Sequence, residues 1–122
     1  MSDETRKMLT QTLESVRETM GELWDLIDRN NAGETNDEGD ALTYEGSDPM
    51  EYLDEWPLEI VWETGEPFAV VLGTGGPHYE VTGGGRQGGY VLTGYWGGEE
   101  VTLSGQGVTR TGEYFREQVE GQ

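Results

Sequence analysis

The chain has 122 residues, no cysteine, and 25 acidic against seven basic side chains, for a formal net charge of −18 at pH 7. A chain of this length can bury one core and not two; the lack of cysteine excludes disulfides and thiolate metal sites; and the charge repels nucleic acid and anionic membrane while attracting basic surfaces. No apolar run approaches the roughly 20 residues of a membrane span, and the start, MSDETRK, carries no signal-peptide pattern, so the expectation is one soluble, cytoplasmic domain over 1–122.

The charge is unevenly placed. Residues 1–66 hold 19 Asp and Glu against four Lys and Arg, whereas 67–122 hold six against three. Lys7 is the only lysine, a depletion that adaptation to high salt also produces, although Glu outnumbers Asp 18 to seven.

The first element is a helix over 1–29. Met8, Leu9, Leu13, Val16, Met20, Leu23, Trp24 and Ile27 recur at spacings of three and four, which puts them on one stripe, and Asn30-Asn31-Ala32-Gly33 supplies residues that tolerate the left-handed geometry of a helix stop. At 1.5 Å per residue the helix runs about 40 Å. That is long for a small sheet, so one end is expected to project or to pair with a second copy as a homodimer. Glu14, Glu18 and Glu22 stand four apart on its outer face, where each like-charged pair costs a few tenths of a kcal/mol, and Asp25 extends the row. Two readings stay open for it: a solvated face, or a ladder presenting negative charge at fixed intervals.

Residues 30–48, NNAGETNDEGDALTYEGSD, are rich in Gly, Asn and carboxylates and read as a long mobile acidic loop. Between residues 31 and 55 there are nine acidic side chains, Glu34, Asp37, Glu38, Asp40, Glu45, Asp48, Glu51, Asp54 and Glu55, and no basic one. The stretch from Asp28 faintly echoes a calcium loop and fails as one, because Ala32 occupies a ligand position and Gly39 the place of the closing Glu. Asp48-Pro49 then reads as the cap and first turn of a short helix over 49–56, with Met50, Leu53 and Trp56 turned inward.

From Pro57 the period changes to two, and 57–104 read as an antiparallel sheet. Leu58, Ile60 and Trp62 alternate with Glu59, Val61 and Glu63; Thr64-Gly65-Glu66-Pro67 turns; Phe68 to Leu72 is a continuous apolar strand. His78 to Thr82 places Tyr79 and Val81 on one face and His78, Glu80 and Thr82 on the other. GGGRQGG is a wide hairpin loop, Gly89 to Trp96 a fourth strand, and Glu99 to Ser104 a fifth. A last helix over 108–120 is clearest from Thr111 to Val119, with Phe115 and Val119 inward and Tyr114 beside them. The predicted fold class is α+β: a sheet of four to five antiparallel strands packed on one face by a long N-terminal and a short C-terminal helix.

No catalytic constellation emerges, and the chain reads as a non-enzyme without cofactor or metal. After Gly76 comes Pro-His and not the Lys-Ser/Thr of a phosphate-binding loop, and proline removes a backbone donor from any cradle. His78 is the sole histidine, so a zinc site would rest on carboxylates alone. Gly94-Tyr95-Trp96-Gly97-Gly98 sets two large aromatics among glycines at a strand end. That suits core packing against the last helix or, with His78, a secondary contact surface.

Thr74-Gly75-Gly76-Pro77-His78, followed by Gly94-Tyr95-Trp96-Gly97 and then by Glu113-Tyr114-Phe115, resembles a group of small acidic proteins carried by phages and mobile elements. The likeness covers roughly residues 57–119. It implies a genetic setting, the host-cell cytoplasm, and a role such as anti-restriction or anti-CRISPR, in which an acidic protein occupies a nucleic-acid site by mimicking its charge. The expected activity is therefore binding to the basic surface of a nucleic-acid-binding complex, with no direct contact to nucleic acid or membrane, through Glu14, Glu18, Glu22, Asp25 and the nine carboxylates of 34–55. The alternative is a halophile-adapted domain whose acidity maintains solubility and whose glycine-aromatic surface binds a protein partner.

Overall fold

In the computed structural model, residues 2–61, 68–74, 76–83 and 89–121 are described. The element order is α1 (Ser2–Asn31), α2 (Pro49–Glu55), β1 (Glu59–Val61), β2 (Phe68–Gly73), β3 (His78–Gly83), β4 (Tyr90–Trp96), β5 (Glu99–Leu103) and α3 (Gln106–Glu120). The five strands form one antiparallel meander in chain order. The expected α+β fold is therefore the observed one. Trp62, Glu63, the Thr64–Pro67 turn, Gly75 and the centre of the GGGRQGG loop lie outside the described residues.

The helical stripe drives assembly. Leu9, Leu13, Val16, Met20, Leu23, Trp24 and Ile27 are all buried, while Met8, at the edge of the stripe, stays 40% exposed. They meet Val70, Val81, Leu92 and Val101, which the strand register sets on one face of the sheet, together with Leu53 from α2 and Val108 and Phe115 from α3. Neither the helix stripe nor the sheet face could leave water alone, and together they close one core. Two glycines set the distance between the layers. A Cβ on Gly94 of β4 would stand 2.9 Å from both Leu9 Cδ1 and Leu13 Cδ2, and one on Gly112 of α3 would stand 2.2 Å from Tyr90 Cδ1. Gly94 thus serves α1, where the sequence pointed to the last helix.

The long helix does not project. Its N-terminal part reaches the β4–β5 hairpin, where Arg6 Nη1 donates to the Glu100 carbonyl at 3.2 Å and Arg17 Nη1 donates to the Ser104 carbonyl at 3.0 Å. Two side chains of α1 thereby occupy carbonyls at either end of the edge strand β5, a device that discourages pairing with another sheet. At the other end, Asp28 holds Arg110 of α3.

Three further boundaries depart from expectation. α3 begins at Gln106, before the expected residue 108, because its first turn lies against α1: a Cβ on Gly107 would stand 3.1 Å from the Gly21 nitrogen. Leu58 precedes β1 and is 63% exposed, so the inward alternation begins at Ile60. The loop expected to be long and mobile carries turns of its own, built from amide side chains. Asn30 accepts from the Leu42 N–H at 2.8 Å and donates to its carbonyl at 2.9 Å, closing residues 31–41 like one pair of a β-ladder.

Candidate functional site

The acidic surface begins on α1. At about 100° per residue, Glu14, Glu18, Glu22 and Asp25 fall within an arc of roughly 80° on the side opposite the buried stripe, and all four are exposed. The spacing gives one carboxylate per about 6 Å of helix, against one charge per roughly 1.7 Å of duplex axis. The helix alone is therefore too sparse to match the charge density of DNA.

Side-chain amides hold the acidic loop in turns. Asn36 Oδ1 accepts from the N–H groups of Glu38 and Asp40 at 2.9 and 3.0 Å, and Asn36 N–H donates to the Asp40 carbonyl at 2.8 Å. An asparagine at the inside of this turn leaves the side chains of Asp37, Glu38 and Asp40 pointing to water. Tyr44 and Ser47 exchange backbone hydrogen bonds of 2.8 and 2.9 Å across Glu45 (φ 49°) and Gly46 (φ 82°). Both central residues are left-handed, as such a two-residue turn requires, and Glu45 takes that position where Gly or Asn would fit at lower cost. The Tyr44 ring packs edge-on against Tyr52 of α2 at 4.8 Å, which fastens the second turn to the body. Burial pushes the Tyr52 phenol upward, with the neighbouring Tyr44, Glu45 and Tyr79 adding to the shift.

All thirteen expected carboxylates are exposed, and four of them also have structural partners. Asp25 and Glu34 share Arg29, at 3.6 and 3.2 Å. Asp48 caps α2 by accepting from the Glu51 N–H at 3.2 Å, and Asp54 accepts a hydrogen bond of 2.5 Å from Tyr114. The other nine, Glu14, Glu18, Glu22, Asp37, Glu38, Asp40, Glu45, Glu51 and Glu55, form no ion pair among the described residues. The reason lies in where the arginines go: Arg6 to the β5 hairpin, Arg17 to Ser104, Arg110 to Asp28, and Arg116 to Glu120 at 3.0 Å. Arg6, Arg17 and Arg110 tie elements together, and nine of the outer carboxylates form no ion pair among the described residues.

The expected secondary surface is a separate place. His78 pairs with Tyr95 across β3 and β4, their rings 5.8 Å apart, on the sheet face away from α1 and α3. His78 Nε2 lies 3.5 Å from Glu80 Oε2. Trp96 packs on the backbone of Gly76, where a Cβ would stand 2.2 Å from Trp96 Cζ3. Tyr95 and Trp96 are each 39% exposed, and with Gly76, His78, Gly97, Gly98, Glu99 and Glu100 they line an open cavity of about 420 Å³. Burial raises the Tyr95 phenol above its ordinary value, followed by the charges of Glu80 and Glu100 and a hydrogen bond to Glu100. The sequence pointed to His78, Tyr95 and Trp96 but not to Glu99 and Glu100, which enter because the Gly97-Gly98 turn folds β5 back beside them.

Among the described residues no group of three His, Asp or Glu side chains is placed to hold a metal ion, and no helix is long and apolar enough to cross a membrane. No family model, curated protein or solved structure matches the chain.

Proposed function

We propose that this protein is a non-enzymatic acidic binding protein whose outer α1 face and 34–55 segment dock on the basic surface of a nucleic-acid-handling complex, with carboxylates standing where phosphates would lie. The observation that carries this reading is the set of nine exposed carboxylates that form no ion pair among the described residues, while Arg6, Arg17 and Arg110 are turned to contacts between elements. An unneutralised field speeds encounter with a basic partner and confers salt-sensitive affinity. The hydrogen-bonded turns of the loop lower the ordering cost, of about 1 kcal/mol or more per residue, that a disordered segment would incur on docking. The resemblance to phage-borne proteins narrows the partner to a host defence complex, restriction or CRISPR-type, met in the host cytoplasm. The apolar stripe of α1 is occupied by the chain's own sheet, so a homodimer through α1 would have to join two acidic faces and is not part of the proposal.

Pull-down against restriction and CRISPR effector complexes, with DNA as competitor, tests this. DNA should displace the protein, and reversal of Glu14, Glu18 and Glu22 to Lys should weaken capture. Capture indifferent to both would overturn it.

The single lysine among 32 ionisable acidic and basic side chains favours one other reading, a salt-adapted domain. A melt in rising potassium chloride separates the two, since molar salt screens repulsion to about 3 Å. Full stability in dilute buffer supports the binding protein, and folding only near molar salt supports the halophile.

A further inference from the structure

Leu53 of α2 is fully buried in the core, and the side chains flanking it on one side of the helix form a site of their own. At about 100° per residue, Tyr52, Glu55 and Trp56 fall within an arc of roughly 100°, and together they line a cavity of about 300 Å³ among the described residues. Tyr52 and Trp56 pack against the core and stay half-buried, with ring centroids 6.2 Å apart and planes tilted by 58°. Tyr44 packs edge-on against Tyr52 at 4.8 Å, and the Asp48 cap holds the first turn of the helix. The two aromatic walls are thus fixed from behind, and the exposed Glu55 lines the same cavity. Charge around the cavity is of one sign. Glu45, Glu51, Asp54 and Glu55 are all exposed, the Glu45 charge reaches the Tyr52 phenol, and no lysine or arginine occurs between Arg29 and Arg86.

We infer that this cavity receives one arginine side chain of the basic partner, its guanidinium against the Trp56 and Tyr52 rings and its charge met by Glu55. The inference rests on reading the acidic segment as the docking face, and it names the anchor at the centre of that face. Charge complementarity selects the occupant: the surrounding carboxylates repel an anionic group, and an apolar side chain would desolvate Glu55 without compensation. A cation gains both the ring faces and the carboxylate. Arginine is favoured over lysine, because a compact, strongly hydrated ammonium neither stacks flat nor forks onto a carboxylate. The fold itself shows what an aromatic ring and a carboxylate on one helix face hold. Trp24 and Asp28, four apart on α1, take Arg110, whose Cζ lies 4.3 Å from the Trp24 ring centroid and whose Nη1 and Nη2 donate to Asp28 at 2.7 and 2.9 Å. Tyr, Trp and Arg are also the side chains that dominate binding energy where they meet at the middle of an interface.

The test is a titration of the full chain with N-acetyl-arginine methylamide, followed by NMR at the Trp56 indole N–H and the Tyr52 and Glu55 amides, where saturable shifts are expected. The lysine analogue should bind about threefold more weakly, and the uncharged citrulline analogue should give no saturable shift. Glu55→Gln should weaken binding about threefold, whereas Glu117→Gln, which removes the same charge from an exposed position of α3, should change it by less than about 1.5-fold. Trp56→Leu, followed at the two amides, should weaken binding about fivefold, and Trp56→Phe, which keeps a ring against the core, should recover part of that loss. A lysine analogue that binds as tightly as arginine, a citrulline analogue that saturates, a Glu55→Gln variant no weaker than Glu117→Gln, or shifts spread over α1 and residues 34–48 with none at Trp56 would each overturn the receptor, and would leave the wider reading to the pull-down. A saturable Trp56 site in a protein that captures no DNA-competed complex would overturn the wider reading and leave the receptor standing.

Discussion

The Tyr114 hydroxyl, on α3, donates to Asp54 Oδ1, on α2, at 2.5 Å, and this contact joins the acidic segment to the C-terminal helix. Burial, then the hydrogen bond to Asp54 and its charge, pushes the phenol up to about 12 from an ordinary value of 10.0. A group whose folded pKa is raised contributes stability that is fully present below the unfolded value and is lost as pH rises through the folded one. The contribution should therefore be constant below pH 10 and vanish as pH approaches about 12. Tyr114→Phe should cost about 1 kcal/mol at neutral pH, discounted from the larger figure for a hydrogen bond to a charged group because solvent reaches the pair. Melts of both proteins from pH 8 upward check this, and a gap between them that persists above pH 12 would contradict it.

The Arg110 fork, the largest influence, holds the Asp28 carboxyl below its ordinary value of 3.8; desolvation opposes it, and the Arg110 charge adds a smaller pull in the same direction as the fork. A depressed acid contributes stability above its unfolded pKa and loses it as pH falls through the folded one. In Arg110→Ala the Asp28 titration, followed by carboxyl carbon shifts, should move upward toward the ordinary value, and the acid-side stability of the two proteins should converge below it. An unmoved titration would mean that the fork does not persist in solution.

The parts of the fold that were legible in the sequence are those where burial follows a period. The α1 stripe and the alternation of β3 both rest on apolar residues repeating against polar ones, and the register bore them out from Tyr79 and Val81 inward. The start of α3 was hidden because Gly105-Gln106-Gly107 reads as a loop, and Gly107 makes sense only once α1 lies against it. The turns of the acidic loop were equally hidden. Asn30 and Asn36 replace backbone ladder pairs with side-chain amides, which leaves no periodic trace. The aromatic cavity was half legible: the exposed pair could be named, but the carboxylates beside it arrive by a hairpin fold-back and the close approach of Gly76.

The α1 stripe makes a sharp contrast testable. Leu13 is fully buried against Gly94, whereas Met8 is 40% exposed. Leu13→Ala should cost about 2–5 kcal/mol, a large share of a small domain's stability, and Leu13→Asp should leave the chain unfolded. Met8→Ala should stay within about 0.5 kcal/mol. Denaturant melts that fail to separate the two would mean that α1 is not docked as described.

Asn30 is the closure of the acidic loop, and its removal should loosen the loop without unfolding the domain. Asn30→Ala leaves the Leu42 N–H and carbonyl without their partner. Amide exchange at Gly39, Asp40 and Leu42 should quicken by about five- to tenfold, as expected for the loss of roughly 1 kcal/mol of local hydrogen bonding. Exchange in β2 and β4 should be unchanged. Acceleration spread evenly through the sheet would show that the loop is part of the global folding unit.

The main binding energy is expected on the acidic segment and not on the loop bearing His78. Asp37, Glu38 and Asp40 project from a turn held by Asn36 through backbone N–H groups, so neutralising their side chains removes charge and leaves the turn's hydrogen bonds in place. Exposed ion pairs contribute about 0.2–1 kcal/mol each. Asp37→Asn, Glu38→Gln and Asp40→Asn together should therefore weaken binding to a basic, nucleic-acid-handling partner by about three- to 150-fold at low salt, and the deficit should shrink as salt screens the wild-type contacts. His78 sits at the other surface, beside Tyr95 and 3.5 Å from Glu80, so His78→Ala should change that affinity by less than about twofold. Calorimetric titration at two salt concentrations checks both. If His78→Ala abolishes binding while the triple neutralisation leaves it intact, the aromatic cavity and not the acidic face is the principal surface.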